Sequence, residues 1–146
     1  MKTTLLILIG LISLLTSCVS VRQDVLVVGG SASGTAAGIQ AARLGAKTLI
    51  IEETPWLGGM LTSAGVSAVD GNHKLPSGFF GEFRDSLVAY YGSAKALQTG
   101  WVSNVLFEPG VGNELLQTIS KKEKNLEIWH NASFATAQKT NSGWKI

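Results

Sequence analysis

DVLVVGGSASGTAAGIQAARLGAKTLIIEE, running from Asp24 to Glu53, is the stretch whose reading decides the fold. Asp24 to Val28 is a short apolar run rich in β-branched residues and stopped by Gly29-Gly30, the signature of a buried strand. From Gly34 to Leu44 small residues dominate, so the spacing predicts a helix whose small face lies close against a sheet. Gly45 stands where a helix C-terminal cap belongs. Lys47 to Ile51 is a second apolar run, and it ends in the acidic pair Glu52-Glu53. Strand, glycine turn, helix, strand and terminal carboxylate together form a βαβ unit of dinucleotide-binding type.

The chemistry follows from that geometry. A turn without bulky side chains lets backbone N–H groups approach a pyrophosphate, and the next helix points its positive end at the same phosphates. A carboxylate at the end of the second strand reaches the ribose hydroxyls, and Glu52 follows Gly29 at close to the spacing of about 20 residues such units use. The turn is Gly29, Gly30, Ser31, Ala32, Ser33, Gly34. Gly29 and Gly34 fill the first and third glycine places, while Ser31 occupies the second. The competing reading is a plain βαβ core with a glycine-rich turn. Two strands, a helix and an acid in register favour the dinucleotide site.

VVGGSASGTAAGIQAARLGAKTLIIEE followed by TPWLGGMLTSAGV resembles the N-terminus of FAD-dependent oxidoreductases with the glutathione-reductase-like fold, above all a bacterial group carrying LGGM-T-S-G after the second strand. The resemblance runs from Asp24 to Ile146, with FEPGV at Phe107 to Val111 as a weaker match. It implies FAD as the cofactor, and it implies that Gly58, Gly59 and Met60 continue the cradle begun by Gly29 to Gly34. Ser31 departs from the commoner glycine of the family.

At 146 residues the chain has the length of one domain, and its 45% apolar share is ordinary for a globular protein. A formal charge of +2 is too small to point to nucleic acid. Lys121, Lys122 and Lys124 cluster where a helix should end, and cations there favour the macrodipole. No metal site is expected.

Met1 to Ser17 has the pattern of a signal peptide: Lys2 gives a positive start, and Leu5 to Leu15 is apolar but shorter than the roughly 20 residues of a transmembrane helix. Leu15-Thr16-Ser17-Cys18 resembles a bacterial lipobox, which implies cleavage before Cys18 and its lipidation. Cys18 is the single cysteine, so no disulfide forms within the chain. Residues 18–23 would be a short linker, and residues 24–146 the N-terminal part of an FAD-binding domain.

Further along, Pro55 to Lys74 is expected as an extended loop at the carboxyl ends of the strands, where doubly wound sheets bind ligands. His73 and Asp70 lie in it, although a loop histidine is more often a hydrogen-bonded surface group. Phe79, Phe83, Leu87 and Tyr91 mark an amphipathic helix closed by Gly92. Ser93 to Phe107 is expected as a loop or hairpin. Pro109 opens a second such helix, with Val111, Leu115 and Ile119 as its stripe. Leu126 to Trp129 is expected as the third parallel strand. Phe134 to Lys139 and Gly143 to Ile146 form an antiparallel hairpin.

The fold class expected is therefore α/β, a Rossmann-like FAD-binding domain with a parallel sheet and a C-terminal hairpin, as one part of a longer protein. The function expected is an exported, lipid-anchored oxidoreductase that moves a hydride between a small organic substrate and flavin, its catalytic residues unassigned. The rival readings are a non-catalytic envelope lipoprotein that keeps the fold and an NAD-binding enzyme.

Overall fold

The computed structural model describes residues 22–101 and 103–146. The signal segment, Cys18 and most of the linker lie outside the described residues.

Strand β1 (Val25–Val28), helix α1 (Ala32–Arg43) and strand β2 (Thr48–Glu52) form the predicted βαβ unit. Strand β3 (Leu126–His130) completes a three-stranded parallel sheet in the order β1-β2-β3. Val28 pairs with Ile51 in one ladder, and Glu52 with His130 in the other, so the carboxyl ends of all three strands lie side by side. β2 is the central strand, and all five of its residues are buried.

Helix α1 begins two residues earlier than the small-residue run predicts, because Ser31 caps it: its side chain accepts from the Gly34 N–H. The other end follows expectation. Gly45 has φ +94°, its N–H donates to Ala42 O, and the Ala46 N–H donates to Ala41 O. That paired pattern closes the last turn as a Schellman motif. The small face of α1 works as predicted, since a Cβ on Gly38 would stand 2.6 Å from the Ile50 side chain.

Helix α2 (Gly78–Tyr91) buries Phe83 and Leu87, and Gly92 ends it in the left-handed conformation. Helix α3 (Pro109–Ser120) starts at Pro109 as expected, but its buried stripe is Gly112, Leu116 and Ile119, one residue off at the first two positions. The lysine cluster starts at the α3 cap residue, Lys121, and continues into the following turn instead of lying in the helix. Ile39, Leu57, Phe83, Leu87, Leu97, Val105, Phe107, Leu116 and Ile119 form one apolar core. Phe83 meets Phe107 edge to face there at 5.4 Å.

Of the loop and hairpin alternatives for Ser93 to Phe107, the described residues form the loop: it holds a 3-10 turn at Ala94–Leu97, and Leu106 bridges to Ala68 in the earlier loop. Pro55 to Lys74 is not uniformly extended, since Gly59–Leu61 is another 3-10 turn. The hairpin is present but shorter than expected, β4 (Gln138–Thr140) against β5 (Gly143–Lys145). Among the described residues no helix is long and apolar enough to cross a membrane.

Candidate cofactor site

The glycine turn is built so that only glycine fits at its third place. A Cβ on Gly34 would lie 1.9 Å from the Gly29 carbonyl oxygen, so the first helical turn can fold over β1 only without a side chain there. Gly29 itself has φ +95° and open space where a Cβ would be. Ser31 and Ser33 turn their hydroxyls toward each other at 3.1 Å on the exposed rim. Ala32, between them, is the first helical residue.

Gly30 takes a different part from the one its place in the turn implies. Its N–H donates to Glu52 Oε2 at 2.6 Å, and its carbonyl accepts from the Gly58 N–H at 2.7 Å and the Thr35 hydroxyl at 2.9 Å. Gly30 thus serves the site by holding Glu52 and Gly58, with both polar atoms engaged inside the protein.

Gly58 and Gly59 join the glycine turn from the other side. Ser31 and Gly58 form an isolated parallel bridge, and a Cβ on Gly59 would stand 3.0 Å from the Ser31 Cα. Both glycines are left-handed, at φ +104° and +54°. The Leu57 N–H donates to Asn113 Oδ1 of α3, and Leu57 is fully buried, which fixes this second turn. Met60 follows with its side chain 67% exposed, so it is not a core residue.

Glu52 is the buried carboxylate of the group, 8% exposed at the end of β2. Its Oε1 accepts from the Thr54 N–H at 2.9 Å and the Thr54 hydroxyl at 2.7 Å. Burial, the largest single influence, pushes the Glu52 carboxyl upward; the Thr54 hydroxyl and N–H and the Gly30 N–H lead the opposing influences, which together hold the group below its ordinary 4.5. Glu52 is therefore an anion at neutral pH. Glu53, one residue past β2, is exposed.

Val28, Gly29, Ile51, Glu52, Glu53, Thr54, Ala132 and Phe134 line a cleft of about 200 Å³ at these strand ends. Ala132 and Phe134 were not among the residues singled out in the sequence. They arrive because the chain leaving β3 crosses the end of β2, where the Ala132 N–H donates to the Glu52 carbonyl at 3.1 Å. A larger hollow of about 400 Å³, lined by His73, Lys74 and Arg84 among others, shares no residue with the cleft. His73 is thus not brought to the glycine turn, and neither Asp70 nor His73 lines the cleft.

The residues fit a dinucleotide. The first turn of α1 carries no acidic side chain, and the Ser33 N–H makes no hydrogen bond among the described residues. An anion at that helix end meets the Ser33 N–H and no carboxylate from the helix itself.

Fold and site together define a βαβ dinucleotide-binding protein. The chain belongs to the FAD dependent oxidoreductase family, whose profile matches residues 24–146, and its cofactor is FAD. No curated protein matches it. Among solved structures it is similar to THI4 of Thermovibrio ammonificans, with 16% identity and a TM-score of 0.48, over 99% of this chain and 52% of that one. It is also similar to the p-nitrophenol 4-monooxygenase PnpA of Pseudomonas putida DLL-E4, with 13% identity and a TM-score of 0.46, over 83% of this chain and 37% of that one. The chain thus spans about half the length of the first and little more than a third of the second.

Proposed function

We propose that this chain holds the adenosine diphosphate half of FAD in an exported, lipid-anchored oxidoreductase that moves a hydride between a small organic substrate and the flavin. The observation that carries the reading is Glu52: a buried, ionised carboxylate beside a glycine turn, on the wall of an open cleft. A carboxylate offers about four acceptor positions, and three protein donors reach Glu52. The remaining position is available to a ribose hydroxyl. Gly29 and the Ala32, Ser33 and Gly34 turn cradle the pyrophosphate, with Gly58, Gly59 and Met60 closing the far side. Bound FAD supplies the redox chemistry, while these residues bind and orient it.

The test is a flavin titration of the apo full-length protein. Glu52→Ala removes charge-assisted hydrogen bonds worth about 1.5–3 kcal/mol, so FAD affinity falls roughly tenfold or more; Glu53→Ala has a much smaller effect. Equal titrations for the two variants would show that Glu52 does not read the ribose. An NAD-specific site would instead leave FAD unbound by the parent.

Leu15-Thr16-Ser17-Cys18 supports the anchor. Two or more acyl chains, each CH₂ contributing about 0.8 kcal/mol, make a durable attachment. Expressed in a bacterium, the protein incorporates labelled fatty acid and sediments with membranes, and Cys18→Ala does neither. Equal labelling of the variant excludes the lipobox.

A further inference from the structure

We infer that His130 is a positioning residue for the ribose-facing carboxylate, acting on Glu52 through Thr54. The inference rests on the reading of Glu52 given above. In the sheet, His130 is the register partner of Glu52 on the neighbouring parallel strand. Its Nδ1 lies 3.2 Å from the Thr54 carbonyl oxygen, and its Nε2 lies 3.0 Å from Gln117 Nε2 on α3. A carbonyl only accepts and an amide nitrogen only donates. The neutral ring with its proton on Nδ1 satisfies both contacts, a tautomer assigned from the partners. The ring is thereby fixed from two sides, by the loop after β2 and by a helix of the core.

Thr54 passes that constraint on. While its carbonyl is held by His130, its N–H and hydroxyl both reach Glu52 Oε1. The hydroxyl has one proton and two acceptors in range, Glu52 Oε1 at 2.7 Å and the Trp56 carbonyl at 3.0 Å. The charged and nearer oxygen takes it, and the Trp56 N–H donates back to the hydroxyl oxygen at 3.2 Å. His130, Thr54 and Glu52 therefore form one directed chain, closed on the far oxygen by the Gly30 N–H. Loosening His130 releases the Thr54–Pro55 peptide, so the Thr54 Cα, with the N–H and hydroxyl it carries toward Glu52, is no longer pinned from that side, and the carboxylate loses its fixed aim at the cleft.

Two variants of similar size separate this role from simple packing. His130→Asn places an amide N–H near the position of Nδ1 and keeps the donor to Thr54. His130→Gln reaches toward Gln117 and leaves Thr54 without that donor. FAD titration of the apo full-length protein, read by quenching of flavin fluorescence, should show about a fivefold loss of affinity for His130→Gln and for His130→Ala, as for one lost hydrogen bond. His130→Asn should bind within about twofold of the parent. In a Glu52→Ala background, His130→Gln should cause no further loss, because the group it aims is gone. Loss in both backgrounds, or equal binding by the Asn and Gln variants, overturns the positioning role while leaving the Glu52 reading intact. A Glu52→Ala variant that binds FAD like the parent overturns that reading, and the role of His130 with it.

Discussion

Ser31 shows how a residue chosen for one reason can have another. Its place in the turn directs attention to the phosphate, yet its hydroxyl oxygen accepts from the Gly34 N–H at 3.2 Å and caps α1. Loss of a serine cap to alanine costs about 1 kcal/mol, and replacement by glycine only a few tenths. Urea unfolding should therefore rank the parent first, Ser31→Gly close behind and Ser31→Ala last. Equal midpoints for the alanine and glycine variants would remove the cap from the account. The Ser33 hydroxyl, 3.1 Å away, can donate the proton of the contact between them, which leaves the Ser31 proton for a phosphate oxygen, so FAD affinity should follow the same order. How much of the site the sequence discloses depends on what kind of constraint each residue obeys. Gly29, Gly34 and Glu52 answer to spacing along the chain, and spacing is visible in a sequence. Thr54, Ala132, Phe134 and His130 answer to strand register and to the path of the chain after β3. His130 meets Glu52 only because β3 pairs with β2 in one particular register. The dual use of Gly30 is hidden for the same reason, since its N–H is taken by a carboxylate on another strand.

At the scale of elements, the legible features are those with strong periodicity and a chemical stop. α2 carries its aromatic and aliphatic residues at helical spacing and ends at a left-handed glycine, so both its face and its C-terminus are readable. α3 has a readable start at Pro109, but Leu115 and Leu116 are equally apolar neighbours and the sequence does not choose between them. The core chooses. A Cβ on Gly112 would lie 2.6 Å from the Phe107 ring, so the helix turns its glycine to that ring and brings Leu116 inward with it. The segment before α3 has no period, and its order comes from contacts that are distant in sequence: Ser103 Oγ donates to the Val69 carbonyl at 2.6 Å, and the Phe107 N–H to the Ser67 carbonyl at 3.2 Å. The joint between elements is equally hidden. Arg43, in the last turn of α1, donates from Nη1 and Nη2 to both oxygens of Glu82 on α2, and from Nε to Glu123 just after α3. Its fork geometry suits two carboxylates at once in a way that lysine cannot match. One side chain thus ties together three helices that no local pattern connects.

For the molecule as a whole, Glu52 and Glu82 shape the response to acid. Glu52 is held below its ordinary value of 4.5 against the upward push of its own burial, and Glu82 is lowered chiefly by its hydrogen bonds to Arg43, with burial opposing. A group whose folded-state pKa lies below its unfolded value binds its proton more weakly in the native state, so stability rises with pH across that interval. The contribution is complete above the unfolded value and is lost as pH falls through the folded one. Arg43, raised further by its contacts with Glu82 and Glu123, stays charged throughout, so acid leaves it facing a neutral Glu82. Glu52→Gln and Glu82→Gln therefore cost stability at neutral pH, where each removes an anion that its donors are arranged to meet. In Glu52→Gln the new amide N–H₂ also confronts the N–H of Gly30 or of Thr54, a donor facing a donor. Thermal unfolding should show the gap between parent and variant at its widest near about pH 7 and narrowing below about pH 4, because the parent then carries the proton that glutamine mimics. The double variant should flatten the acid limb more than either single change, since the two carboxylates have no donor in common. A gap that stays constant or widens toward acid would mean that these carboxylates are not lowered in the folded protein, and the anion at the mouth of the cleft would lose its electrostatic support.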